Sequence, residues 1–228
     1  LVASRIPFDA AFAMTRYIAA VPLIFAAVAV AGEAPVPIKE EPRHRLVFEN
    51  RYVRHFDVQL EPGYVARYHW HRNDGVFANI RAANTTAQEW GGEPVQRGWR
   101  AVGEAYFIGY TEKPKAHRVS NTDARLYHVT DTEVLQGCGP APALPARVRN
   151  QSLIVENSRV QVMRIVLHPG ESTDLAGPCG MLVSLYPATL RLGHAGGGDP
   201  LVLPRAGFRW RETRETQEGR GAGGGDDL

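Results

Sequence analysis

Two stretches of this chain, 107 positions apart, lie over one another without a gap. Leu46 to Gly63 reads L-V-F-E-N-R-Y-V-R-H-F-D-V-Q-L-E-P-G, and Leu153 to Gly170 reads L-I-V-E-N-S-R-V-Q-V-M-R-I-V-L-H-P-G. Glu49-Asn50 falls on Glu156-Asn157, Val53 on Val160, Leu60 on Leu167 and Pro62-Gly63 on Pro169-Gly170. Apolar residues face apolar ones at Phe56/Met163 and Val58/Ile165. Agreement of both E-N and P-G in one frame points to an internal duplication. A duplication sets the architecture: two similar units of under about a hundred residues each.

The repeated unit reads as β structure. Phe56, Val58 and Leu60 alternate with His55, Asp57 and Gln59, the period of a strand with one apolar face, and Pro62-Gly63 ends it. Tyr64 to His71 reads as a second strand, Val76 to Ala82 as a third and Glu104 to Ile108 as another. His117 to Ser120 and Arg125 to Val134 read as the closing pair, with Asn121-Thr122-Asp123 as a turn. Asn84 to Gly98 is polar and glycine-bearing, a loop or hairpin end. No segment after residue 34 has helical periodicity, so the expected class is all-β, a barrel or sandwich. The second copy keeps a strand at Met181 to Tyr186. Its A-G-F-R-W at Ala206 to Trp210 echoes V-G-E-A-Y at Val102 to Tyr106, and it then runs into a charged, glycine-rich tail. It is therefore expected to be degenerate and truncated, with a structural role: covering the first unit or forming the face of a homodimer.

The flanks set the domain boundaries. Tyr17 to Ala31 is an uncharged apolar run of 15 residues, preceded by Arg16 and ending in A-x-A patterns at Ala27, Ala29 and Ala31. That is the layout of a secretory signal peptide. The run is short for a membrane span, which needs about 20 residues. Met14 reads as a natural start, with residues 1–13 as an upstream extension. The expected organisation is 1–34 signal and extension, 35–136 first unit, 137–149 a Gly- and Pro-rich linker, 150–212 second unit and 213–228 a disordered tail. The implied location is periplasmic or secreted, with no stable membrane span after cleavage; an uncleaved anchor is the alternative. Formal net charge is +2 with no basic run, which gives no argument for nucleic acid as a partner. Export permits a disulfide between the two cysteines, Cys138 and Cys179; two free thiols are the other reading.

Chemistry concentrates in E-P-G-Y-V-A-R-Y-H-W-H, Glu61 to His71. In a strand, side chains at i and i+2 share a face, so His69 and His71 stand about 6–7 Å apart along the backbone on one side. Two imidazoles so placed can converge on an ion, and one more histidine would complete a site. Arg67 shares their parity and reads either as an anion-binding candidate beside Tyr106 or as a solvent-exposed arginine at the barrel rim. His55 and His128 read as hydrogen-bonded histidines, and His44, His168 and His194 as turn residues. Trp70 is out of phase with the histidines, and Trp90 and Trp99 read as ordinary packing residues.

These residues resemble the cupins. Gly63, five residues and His69-Trp70-His71 fit the first half of the first cupin motif; His117-Arg118-Val119-Ser120-Asn121 fits the end of the second. The resemblance covers Leu46 to Leu135 well and Leu153 to Trp210 faintly, which together suggests a bicupin: two tandem double-stranded β-helix (jelly-roll) barrels. The family glutamate would fall at Gly75 or Val76, neither of which carries a ligand, and Asp74 is one place early. The resemblance therefore implies a three-histidine centre, His69, His71 and His117, holding a divalent transition metal (Fe, Mn, Ni, Zn or Cu). Three protein ligands leave positions open for small molecules. The function implied is an exported metal-binding cupin, an oxygenase or isomerase of a small organic acid, thiol or sugar derivative. The alternatives are a non-catalytic small-ligand- or metal-binding module of the cell envelope, and a structural bicupin without metal.

Overall fold

The computed structural model describes residues 33–139, 150–175, 177–191 and 200–212. The apolar run at 17–31, most of the linker and the 213–228 tail lie outside them. All the described residues fall in one compact unit, and all regular structure is β apart from one turn of 3₁₀ helix at Ile38–Glu40. Among the described residues no helix is long and apolar enough to cross a membrane.

The first half supplies ten strands: β1 (Val36–Pro37), β2 (His44–Glu49), β3 (Val53–Leu60), β4 (His69–His71), β5 (Asp74–Arg81), β6 (Thr85–Glu89), β7 (Pro94–Arg97), β8 (Ala105–Ile108), β9 (Lys115–Asn121) and β10 (Tyr127–Val134). They form two five-stranded sheets in the orders β1-β4-β9-β6-β7 and β2-β3-β10-β5-β8. Apart from the β2–β3 and β6–β7 hairpins, successive strands alternate between the sheets, so the chain winds around a single core. That core holds Phe56, Val58, Leu60, Phe77, Val119, Tyr127 and Val129, the inward-facing alternate positions of their strands.

The alternating run from Leu46 to Leu60 is not one strand. It folds back at Asn50, whose side-chain Oδ1 accepts from the backbone N–H of Tyr52 (2.8 Å) and Val53 (2.9 Å). This is an Asx turn, and it overrides the period-two pattern. The second half opens with the same device. Asn157 Oδ1 accepts from Arg159 N (2.8 Å) and Val160 N (2.9 Å), joining β11 (Gln151–Glu156) to β12 (Gln161–Ile165). Both hairpins shift register at matching places, between Leu46 and Phe48 and between Leu153 and Val155. Both Pro-Gly turns have a left-handed glycine, Gly63 at φ 76° and Gly170 at φ 83°. Asn84–Gly98 likewise forms the β6–β7 hairpin at a sheet edge, and Trp90 and Trp99 stand about half exposed rather than packed.

Beyond β12 the likeness to the first half stops. β13 (Cys179–Val183) pairs with β16 (Phe208–Glu212), and β14 (Ala188–Arg191) with β15 (Pro200–Leu203). Each is a two-stranded ladder, and among the described residues the second half forms no pair of facing sheets. These ladders lie against the outer side of the first unit. Phe208 packs on His55 and Phe48, Trp210 stacks on Tyr52, Arg159 pairs with Asp74 and Arg164 donates to the Gly103 carbonyl. Cys138 and Cys179 are joined by a disulfide, which ties the end of the first unit to β13.

Candidate metal centre and its cavity

Register brings the histidines together. The β4–β9 ladder sets His117 directly opposite His69, and Lys115 opposite His71; directly opposed residues share a face. The His117 ring lies 5.1 Å from that of His69 and 4.8 Å from that of His71, centre to centre. A fourth imidazole comes from the facing sheet. His44 opens β2 opposite the core residue Val58, and its ring is 4.2 Å from His69 and 6.1 Å from His71. His44, His69 and His71 each offer a ligand atom, and these atoms lie within 4.8 Å of one another. His44 is thus no idle turn residue but belongs to the cluster, while His117 stands beside it in the cavity wall.

Two of those three rings hold Nδ1 against an acceptor. His44 Nδ1 is 2.7 Å from Glu41 Oε2, and His69 Nδ1 is 2.8 Å from the Arg67 carbonyl. The nearest acid to His71 Nδ1 is Asp131 Oδ2, at 3.7 Å. An Nδ1–H committed to an acceptor leaves the Nε2 lone pair free to bind metal. His69 Nε2 and His71 Nε2 are 3.1 Å apart. Two nitrogens about 2.0–2.1 Å from a shared ion, at roughly tetrahedral to right angles, stand about 2.9–3.4 Å from each other. Burial, with the nearby His44 ring adding, holds His69 down at about 3; burial, with the neighbouring rings and Arg97 adding, puts His71 and His117 well below the ordinary imidazole value. Neutral imidazole is the metal-binding form, and this donor set suits Zn, Cu, Fe or Ni. His71 Nδ1 and both Asp131 oxygens are buried without a hydrogen-bond partner. Such orphans are costly in a finished core, and the residues present fit a bound cation.

Glu41 explains why His44 points inward. Its buried carboxylate accepts from the backbone N–H of Arg43 (2.7 Å) and of His44 (2.9 Å) as well as from the His44 ring. Burial raises its pKa, but the bond to His44 and that residue's charge outweigh it and leave the net shift downward. At Gly75, where the family glutamate would fall, there is little room for a longer side chain. A Cβ on Gly75 would lie 2.9 Å from the Phe77 ring and 3.3 Å from Asp131 Oδ1. The neighbouring strand's carboxylate, from Asp131 on β10, already holds that space. Asp74 faces elsewhere, accepting from Thr111 N and pairing with Arg159.

The cluster opens on a cavity of about 160 Å³ between the two sheets. One sheet contributes His71, His117, Lys115 and Arg97; the other contributes His44, Phe77, Tyr106 and Asp131. An engineered cavity of about 150 Å³ holds benzene, so the ligand that fits is of that size.

No protein-family model matches the chain, and no curated protein matches it. Solved structures similar to it include a cupin domain from Bordetella pertussis Tohama I, 18% identical, covering 39% of this chain and 88% of that one at TM-score 0.35. Another is a protein with a double-stranded β-helix domain from Klebsiella pneumoniae, 14% identical, covering 46% and 86% at TM-score 0.34. A third is an RmlC-like cupin family protein from Methanocaldococcus jannaschii, 11% identical, covering 40% and 76% at TM-score 0.32. The strand order and the inward His-x-His strand decide the fold on this chain's own geometry. Residues 36–134 have the cupin fold.

Within this cupin unit the other sequence-derived candidates fall as follows. Tyr106 lines the cavity. Arg67 does not: regular β4 begins only at His69, so strand parity does not reach back to Arg67. Its guanidinium pairs with Glu33 at 2.6 Å, and it is its carbonyl that serves His69. His55 bonds Thr132 Oγ1 (2.7 Å) and His128 bonds Asp57 (2.5 Å), both as structural histidines. Sequence reasoning missed His44, Glu41, Asp131 and Arg97. The E-P-R-H turn was the one local hint, a carboxylate three residues before a histidine. Asp131 and Arg97 have inward positions only once β10 and β7 are in register.

Proposed function

We propose that this is an exported metal-binding cupin in which His69 and His71 hold one divalent transition-metal ion. His44 completes the group and His117 is a fourth donor at the cavity wall. The observation that carries this reading is the 3.1 Å approach of His69 Nε2 to His71 Nε2, with Nδ1 of His69 on a backbone carbonyl and Nδ1 of His44 on a carboxylate. A bound ion would supply Lewis acidity toward a small organic ligand and a place for dioxygen, the chemistry of an oxygenase or isomerase. The chain's own residues do the rest. Glu41, the Arg67 carbonyl and Asp131 fix the rings, and the apolar walls at Val58, Leu60 and Val129 exclude water from the inner end. Export rests on the charge-free run at Tyr17 to Ala31.

Elemental analysis of the purified full chain tests the reading. The expected result is about one Fe, Mn, Ni, Cu or Zn per chain, lost in His69→Ala and in His71→Ala with the β circular dichroism retained. Unchanged metal content in both folded variants overturns it. Oxygen uptake and turnover of a panel of small acids, thiols and sugars then measures whether the centre is catalytic.

A further inference from the structure

The cavity holds a cation without an anion. Arg97 ends β7 opposite Thr85, which places it on the inward face with Ala87, and it lines the cavity. Its guanidinium donates one hydrogen bond, Nη2 to Tyr106 Oη at 2.9 Å. The other lining cation, Lys115, is neutralised by Glu89 at 2.5 Å. The one carboxylate among the lining residues is Asp131; it is 1% exposed, faces His71, and makes no hydrogen bond to Arg97.

A guanidinium has five N–H donors in a planar fork that matches a carboxylate. One is spent on Tyr106. The Tyr106 oxygen accepts that bond, so its own O–H remains free to donate. Arg100 stacks over the Tyr106 ring, 4.0 Å from its centroid, and Phe77 stacks on it at 5.1 Å. The Tyr106 ring is thus packed by both residues. A neutral sugar or alcohol of about benzene's size would leave the Arg97 charge uncompensated.

We propose that the cavity takes a small carboxylate, gripped by Arg97 and the Tyr106 hydroxyl, with the rest of the ligand directed along Phe77 toward the histidine cluster. This narrows the ligand class of the functional reading above and rests on that reading only for what the cavity is for.

The test uses the full chain stripped of metal, so that an anion cannot bind through an ion. Binding of propanoate and of its near-isosteric amide, propanamide, is followed by NMR shifts. The expected result is that propanoate binds at least roughly tenfold more tightly than propanamide, because the site is built for the charged oxygens. Arg97→Gln should lose that preference and weaken propanoate by a similar factor. Arg97→Lys, which keeps the charge without the fork, should fall between, and it serves as the second variant if Arg97→Gln does not fold. No propanoate binding by wild type, equal binding of propanamide, or undiminished propanoate binding by either folded variant overturns the proposal. Zinc stoichiometry is measured separately on the reloaded protein. Propanoate bound without any zinc uptake would remove the metal-centre reading and leave this one standing; zinc bound without propanoate would do the reverse.

Discussion

Asp131 Oδ2 stands 3.7 Å from His71 Nδ1, and both groups are buried without a hydrogen bond. Burial, with the nearby Glu133 charge adding, raises the Asp131 carboxyl well above the usual carboxylate range. An acid so placed would aim the imidazole once an ion holds it. Removing the partner behind a metal-bound histidine typically costs 10–100-fold in affinity. Asp131→Ala is therefore expected to weaken zinc binding by roughly that factor while leaving one site per chain. Competition with a chromophoric chelator measures it. Wild-type affinity in the variant would show that Asp131 does not orient His71.

Glu41 holds the turn that delivers His44. Three donors converge on one of its oxygens: Arg43 N, His44 N and His44 Nδ1. Leaving a buried donor unpaired costs about 1–3 kcal/mol, and Arg43 is in part solvated. Glu41→Ala should therefore lower unfolding stability by about 3 kcal/mol, and Glu41→Gln, which can still accept, by less. Urea denaturation of the metal-free proteins ranks the two. Equal stability of Glu41→Ala and wild type would mean the turn is held by its backbone alone.

What could be read from the residues, and what could not, divides along the range of the interactions. His69 and His71 were legible because a strand's two-residue period is local, and His117 because its neighbours resemble a known motif. His44 was not, since its partners lie across the sandwich and its own neighbourhood reads as a turn. Asp131 sits in the alternation T-D-T-E, which cannot say which face is inward until β10 pairs with β3 and β5. Arg97 fell in a stretch read as a loop or hairpin end, and only pairing with Thr85 turns it inward. The E-N pair has the opposite character. Its recurrence at Glu49-Asn50 and Glu156-Asn157 is legible as a match of residues, but its physical content, an Asx turn that splits a continuous alternation into a hairpin, is not.

The disulfide closes a loop of 41 residues. On the chain-entropy account a loop of that size stabilises by about 4 kcal/mol. The double variant Cys138→Ser, Cys179→Ser should lose that much, and the loss should appear first in the second half, which the bond anchors at β13. Trp210 stacks on Tyr52 of the first unit, so tryptophan emission reports whether the two separate. Coincident, unshifted unfolding of the variant and wild type would reject this role.

His55 gives the pH dependence its sign. It is fully buried beneath Phe208, whose ring lies 5.0 Å away. Burial lowers its pKa to about 4, against a smaller opposing pull from Asp57. The unfolded imidazole titrates near 6.5. Above that pH both states are neutral and His55 contributes nothing. As pH falls from about 6.5 to about 4, the unfolded chain takes up a proton that the native state refuses, so stability is lost, by about 3 kcal/mol in all at 1.36 kcal/mol per unit. His69, His71 and His117 act in the same direction, so the comparison that isolates His55 is wild type against His55→Gln, whose stability should fall less steeply through this window. Phe208→Ala should open the site to water and move the His55 pKa, followed by NMR, back toward 6.5. A His55 that titrates near 6.5 in the wild type would show that the second half does not cover it in solution.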